Sequence, residues 1–272
     1  MADSGTRQLD RLFAAVRSQQ RAALLPYLTA GLPDADTSVA LFEAMADAGA
    51  DGFEIGIPYS DPLMDGPVIA EAGARSLASG TTMTSALEIA RTVSRSTAKP
   101  ILLMTYTNPV LRRGIEAFMK DAAANGAAGV IIADLPVEES QPFRDAAQRA
   151  GLGMALFAAP TTSDRRLARI ASARPAFIYG VASLGVTGER AEASRWAGEM
   201  AGRVRAITDL PLVFGVGIAT PESAAAAARL ADGVIVGTAL VRIVIESSEV
   251  GAAAAGLRDA GSRFAAAVSG RS

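Results

Sequence analysis

The stretch Gly49–Val68, GADGFEIGIPYSDPLMDGPV, decides how this chain is read. It opens on a glycine turn, passes through a short apolar run and closes on a loop rich in proline and aspartate ahead of a helical segment. Glu54 stands inside the apolar run, and Asp61 and Asp65 follow in the loop. A lone buried carboxylate costs several kcal/mol unless it is paired, hydrogen-bonded or kept neutral. Glu54 therefore needs either a structural partner, such as an arginine or a tyrosine hydroxyl, or a chemical use.

The same kind of unit recurs along the chain. Apolar runs begin at Ala22 (AALLPYL), Gly52 (GFEIGI), Pro100 (PILLMTY), Ala128 (AGVIIADL), Gly153 (GMALFAAP), Pro175 (PAFIYGV), Pro211 (PLVFGVG) and Asp232 (DGVIVGT). Each is short, rich in branched side chains and lacks strict alternation, as expected of strands buried on both faces of a parallel sheet. Alanine-rich segments with helical spacing, such as TSVALFEAMADAGA and ESAAAAARLA, lie between them, and several end at a glycine before the next strand. Eight such units in 272 residues predict an α/β fold, a single (β/α)8 TIM barrel over residues 1–272. No linker or charge run divides it. A doubly wound open sheet is the rival, but its Gly-x-Gly-x-x-Gly after the first strand is missing. Ahead of the first strand, Leu9, Leu12, Phe13 and Val16 fall on one face of an extra N-terminal helix, which reads as part of the fold and not as a signal peptide.

Composition narrows the function. The net charge of -2, with both signs spread along the chain, gives no electrostatic support for nucleic-acid or membrane binding. No apolar run approaches the length of a membrane span, so a soluble protein is expected. Cysteine is absent, which excludes disulfides and thiolate metal sites and fits a cytoplasmic location. Histidine is absent too, removing the commonest general base and metal ligand, and no metal site is expected. Acid–base chemistry must fall to carboxylates, tyrosines or lysines with shifted pKa. The two lysines, Lys99 before the third strand and Lys120 in the following helix, are badly placed for a Schiff base.

Barrel chemistry sits at the C-terminal ends of the strands. The candidates there are Glu54, Asp61 and Asp65 after the second strand, Tyr106 and Asn108 after the third, and Asp134 after the fourth. Tyr179 and Ser183–Arg190 follow the sixth strand, and Gly215, Gly217, Gly237 and Thr238 the last two. Glycines at a strand end let backbone N–H groups approach an anion, and a helix opening at Gly-Thr aims its dipole the same way. Gly217, Gly237 and Thr238, joined by Gly188 of the GVTG run, are read as a phosphate cradle, although each loop alone is equally a tight turn. By spacing alone Asp65 is a turn residue before Gly66, Asp61 shapes its loop before Pro62, and Asp134 ends its strand as a structural or interface residue.

Six motifs in order, EIGIPYSDPLMDGPVI, LMTYTNPV, DLPVEES, GVTGER, FGVGI and VGTALV, resemble the α subunit of tryptophan synthase from about Leu25 to Ile243. The resemblance implies a lyase that cleaves indole-3-glycerol phosphate to indole and glyceraldehyde 3-phosphate. It also implies that the chain works with a β subunit in an α2β2 heterotetramer for tryptophan biosynthesis, with the loops near Pro58–Asp65 and Asn108 facing that partner. The expected cofactor, pyridoxal phosphate, belongs to the partner and none to this chain. Glu54 and Asp65 match the family's catalytic pair. Tyr27, Ile69, Met104, Tyr106 and Tyr179 are candidates for the indole pocket, though each reads equally as core, with Tyr106 better placed to pack on the ring; the resemblance implies that Thr187, alone an ordinary loop threonine, reaches Asp65. Two departures stand out: Ala182 and Ser183 replace a frequent Ser-Arg pair before GVTG, and Thr238 replaces a frequent serine.

The chemistry implied is a retro-aldol cleavage. It asks for an acid and a base whose surroundings push their pKa values apart, and an apolar strand for Glu54 against a looser loop for Asp65 is such a pair. Two other readings stay open: a regulatory subunit that only activates its neighbour, which would need neither carboxylate nor cradle, and another phosphate-binding barrel, weakened by the missing histidine and strand-end lysine.

Overall fold

The structure, a computed structural model, describes residues 4–181 and 190–270. Eight parallel strands close into a barrel in sequence order. They are β1 (Ala23–Thr29), β2 (Phe53–Gly56), β3 (Ile101–Thr105), β4 (Gly129–Ile132), β5 (Gly153–Ala158), β6 (Phe177–Gly180), β7 (Leu212–Phe214) and β8 (Gly233–Val236). Each lies at one of the eight predicted runs. Apart from Met104 and Phe157 every strand residue is buried, because one face meets the barrel interior and the other the surrounding helices. That two-sided burial is why the runs do not alternate. The β1–β2 register sets Tyr27 against Glu54, and β2–β3 sets Glu54 against Leu102.

The helices are α1 (Gly5–Ser18), α2 (Ala35–Asp47), α3 (Pro67–Ala78), α4 (Met83–Thr97), α5 (Thr107–Arg113), α6 (Ile115–Ala124), α7 (Gln141–Arg149), α8 (Asp164–Ser172), α9 (Arg190–Arg205), α10 (Pro221–Ala228), α11 (Thr238–Glu246) and α12 (Val250–Ser269). The connections after β2, β3 and β8 each carry two helices where the repeat needs one. Local signals divide them. Thr82 and Ser85 form a reciprocal capping box that starts α4 afresh, Gly114 at φ +90° separates α5 from α6, and extended Ser247 and Glu249 separate α11 from α12.

The predicted N-terminal helix, α1, lies against β1, β4 and β5. Leu9, Phe13 and Val16 are buried there, and the Phe13 ring meets Phe177 at 5.8 Å. Burying each such side chain contributes about 1.5–3 kcal/mol. Two carboxylates brace the same N-terminal region. Asp51 takes Arg21 at 2.7 Å and the Leu24 N–H at 2.9 Å. Asp232 takes Arg17 at 2.9 Å, Arg205, and the Leu212 N–H at 2.9 Å. Burial alone would push the Asp232 carboxyl up; Arg17, Arg205 and the Leu212 amide outweigh it and hold it down at about 2. This end of the barrel is built for stability, and the strands deliver their chemistry at the other.

Candidate active site

The C-terminal end of the barrel opens into a cavity of about 780 Å³. Inward residues of four strands, Tyr27, Glu54, Met104 and Phe157, form its walls with Tyr179 of β6, and the loops after β4, β5, β7 and β8 form its rim. The chamber is mostly apolar, with a few polar groups converging on it, as small-molecule sites commonly are.

Glu54 is 2% exposed. Among the described residues its Oε2 has no hydrogen-bond partner, so the arginine or tyrosine that a scaffold role would require does not bond it there. Burial, and secondarily the nearby Asp65 charge, pushes its pKa up to about 8. At neutral pH Glu54 is a neutral carboxylic acid lining an apolar chamber.

Asp65 sits in the loop between β2 and α3. Its amide closes a turn onto the Pro62 carbonyl at 3.0 Å, and Gly66 then caps α3 with Pro67 in the first turn. The turn role read from spacing is thus real, yet the side chain also reaches the cavity. Burial raises the Asp65 pKa, and a hydrogen bond from the Tyr106 hydroxyl opposes that rise. Because the Asp65 charge adds to the upward shift of Glu54, the two carboxyls are coupled, and a proton held on Glu54 favours charge on Asp65.

Tyr106 differs from expectation. It does not line the cavity. Its hydroxyl accepts the Met64 N–H at 3.2 Å while it donates to Asp65, and its ring packs on Tyr59 at 5.3 Å. Through these contacts it braces the loop that carries Asp65. Asp134 reaches the cavity rim, but Asp134 Oδ1 accepts the Thr107 N–H at 2.7 Å and its hydroxyl at 2.9 Å, which ties the end of β4 to the start of α5. Asn108 donates to the Tyr59 hydroxyl at 2.9 Å, and Asp61 is exposed.

Tyr27, Ile69, Met104 and Tyr179 all line the cavity. Tyr27 and Tyr179 fit because glycines face them: a Cβ at Gly56 would overlap the Tyr27 hydroxyl, and one at Gly215 the Tyr179 hydroxyl. After β7 and β8, Gly217, Gly237 and Thr238 line the same cavity as Glu54. Gly217 adopts φ +80°, a backbone that glycine tolerates without strain. Gly237 precedes α11 with no side-chain cap, and its carbonyl takes the N–H groups of Leu240 and Val241. The amides of Thr238 and Ala239 come before the first intrahelical bond and have no partner among the described residues, so they and the helix dipole can take an anion. Thr187, Gly188 and the Ala182–Ser183 departure lie outside the described residues. Among the described residues no cluster of His, Cys, Asp or Glu could hold a metal ion.

Sequence reading passed over Phe157. Its ring meets Tyr179 at 4.7 Å, and the two are register partners on β5 and β6. An aromatic at a strand's C-terminal end, one residue before the run turns to alanine and proline, is the signal that would have found it. Met64, Val216, Thr161 and Thr162 also line the cavity. They come from loops, where no periodicity indicates which side chain turns inward.

Known proteins resemble this chain in sequence and in fold. A family model described as tryptophan synthase alpha chain matches residues 13–267. A tryptophan synthase alpha chain of Streptomyces avermitilis is 40% identical over 262 residues, covering 96% of this chain and 95% of that one. One from Solibacter usitatus is 43% identical over 242 residues, covering 89% and 91%. Among solved structures, a Mycobacterium tuberculosis tryptophan synthase chain superposes with a TM-score of 0.86 at 39% identity, over 96% of this chain and 97% of that one. A tryptophan synthase alpha chain from Legionella pneumophila gives 0.85 at 33% identity, over 98% of each.

Proposed function

The chain belongs to the tryptophan synthase alpha chain family, and we propose that it performs the family's lyase step with Glu54 as acid and Asp65 as charge partner. As the lyase subunit it cleaves indole-3-glycerol phosphate to indole and glyceraldehyde 3-phosphate, and the indole passes to a beta subunit for tryptophan synthesis. The observation that carries the assignment is a buried carboxyl, Glu54, whose Oε2 has no partner among the described residues, at the wall of a mostly apolar chamber that a second carboxyl, Asp65, also lines.

The proton bookkeeping closes on those two groups. Glu54 delivers its proton to indole C3, which breaks the aromaticity of the five-membered ring and leaves positive charge on the ring nitrogen. Asp65 accepts a hydrogen bond from the indole N–H and stabilises that charge as it develops. Glu54, now a carboxylate, takes the proton of the adjacent glycerol hydroxyl. The oxygen forms the aldehyde, the bond from the glycerol carbon to C3 breaks, and its electron pair restores the indole. Glu54 ends protonated, as it began.

The phosphate is assigned to the amides at Gly217, Gly237 and Thr238, supported by the free N-terminal amides of α11, with Gly188 completing the cradle. Tyr27, Ile69, Met104, Phe157 and Tyr179 enclose the indole, and Thr187 reaches Asp65. Tyr106 acts by holding Asp65. The reading takes residues 1–272 as one barrel domain working in the cytoplasm, in an α2β2 assembly with pyridoxal phosphate held by the beta subunit. Exposed Leu63 and Met64, beside Asp65, and Leu111, near Asn108, support an apolar docking face there.

The test is indole release by the purified chain and its Glu54→Gln and Asp65→Asn variants, with and without a beta subunit. Each variant is expected to lose about 10²–10⁴ in kcat while still binding glycerol phosphate. Full activity in Glu54→Gln would make the glutamate scaffold.

A further inference from the structure

Glu54 has two strand neighbours. On β3 its register partner is Leu102, which offers nothing polar; on β1 it is Tyr27. The Tyr27 ring leans across Gly56, two residues beyond Glu54 on β2, so closely that only a glycine fits beneath the phenol oxygen. Gly56 and Glu54 are two residues apart and so share one face of β2, which puts the hydroxyl on the face that carries the Glu54 side chain. Among the described residues its bond is to Thr29 Oγ1 at 3.4 Å, beyond the usual range of an O–H···O bond. A loosely held donor and an acceptor with no partner, Glu54 Oε2, thus stand on paired residues.

In the resting site this pairing is idle, because a neutral Glu54 suits its apolar surroundings. After the proton has gone to the substrate, the carboxylate occupies a place where burial penalises charge, and a donor becomes valuable. We propose that Tyr27 is a positioning residue for the lyase step: its hydroxyl turns from Thr29 to donate a hydrogen bond to Glu54 while that carboxyl is without its proton. Tyr27 keeps its own proton throughout, since burial, and next the Asp65 charge, raises its pKa far above the ordinary phenol range. The other titratable groups facing this point are Asp65 from the loop after β2, Tyr106 after β3 and Tyr179 on β6. Tyr106 is engaged by Asp65 and Met64, and Tyr179, lying over Gly215 just after β7, comes from a strand that does not pair with β2.

This inference rests on Glu54 being the acid, and the experiment separates the two. Tyr27→Phe, Glu54→Gln and the double variant are assayed for indole release in complex with a beta subunit across the pH range. Tyr27→Phe is expected to lower kcat about 10-fold. The alkaline limb of its kcat/KM profile should move up by about one pH unit, because losing a donor to the carboxylate favours the neutral form. Adding Tyr27→Phe to Glu54→Gln should change kcat little, since the hydroxyl acts through Glu54. A second readout needs no catalysis: the pH at which the Glu54-linked loss of stability levels off should rise by the same unit in Tyr27→Phe. An unmoved limb, an unmoved stability profile, or an equal penalty with and without Glu54 overturns the role of Tyr27 alone. Undiminished activity in Glu54→Gln overturns the acid itself.

Discussion

Replacing Glu54 by glutamine is expected to stabilise the barrel while removing its acid. In the unfolded chain a glutamate titrates near 4.5, whereas in the folded protein burial and Asp65 hold Glu54 up at about 8. At pH 7, about 2.5 units above the unfolded value, folding must therefore bind a proton. At about 1.4 kcal/mol per unit this costs about 3 kcal/mol of stability. The sign follows from the direction of the shift. Near pH 4 the carboxyl is neutral in both states and the penalty vanishes; it grows as pH rises and levels at about 5 kcal/mol above pH 8, where the folded chain also ionises. Glutamine has nearly the same shape, leaves a comparable unbonded polar atom in the same place and never ionises, so packing and polar burial largely cancel. Urea denaturation of wild type and Glu54→Gln at a series of pH values reads the difference directly. The reasoning is refuted if the variant is less stable at neutral pH, or if its advantage is the same at pH 5 and pH 8.

Tyr106→Phe removes the donor that opposes the rise of Asp65, so the acid limb of the kcat profile should move to higher pH with the fold intact; an unchanged limb would separate Tyr106 from Asp65. Gly217→Ala forces a side chain onto φ +80° at the proposed phosphate cradle. It should raise KM for indole-3-glycerol phosphate about 10-fold or more, while Gly80→Ala, also at positive φ but with open space around it, should lose stability only. Asp232→Asn should destabilise the chain by about 2–4 kcal/mol at neutral pH. Its carboxyl is depressed to about 2, so the difference from wild type, full above the ordinary carboxyl value, should fade as pH drops through about 2, and activity per folded molecule should be unchanged. Leu63→Glu, on the exposed loop beside Asp65, should weaken activation by a beta subunit in titration assays while sparing binding of glycerol phosphate.

The strands were legible because a parallel barrel buries both faces, and FEIG or GVIV cannot stand in water as half-exposed strands would. Glu54 was legible for the same reason: a charge-bearing residue in such a run violates the pattern, and violations gather at functional sites. Asp65 was ambiguous because DG before a proline is turn chemistry as well as site chemistry, and the structure shows both the turn and a side chain that lines the cavity. Tyr106 was misplaced because a strand end predicts proximity to the chamber but not which way the ring turns, and Tyr59 and Met64, which hold it, are distant in sequence. The doubled helices after β2, β3 and β8 depended on caps of one or two residues inside segments whose overall spacing reads as helix.

The central claim is that Glu54 is a protonated acid at neutral pH, and infrared difference spectroscopy of wild type against Glu54→Gln tests it most directly. The account predicts the carbonyl stretch of a neutral carboxylic acid, present at pH 7 and converted to carboxylate bands through about pH 8. Carboxylate bands for Glu54 already at pH 6 would contradict it.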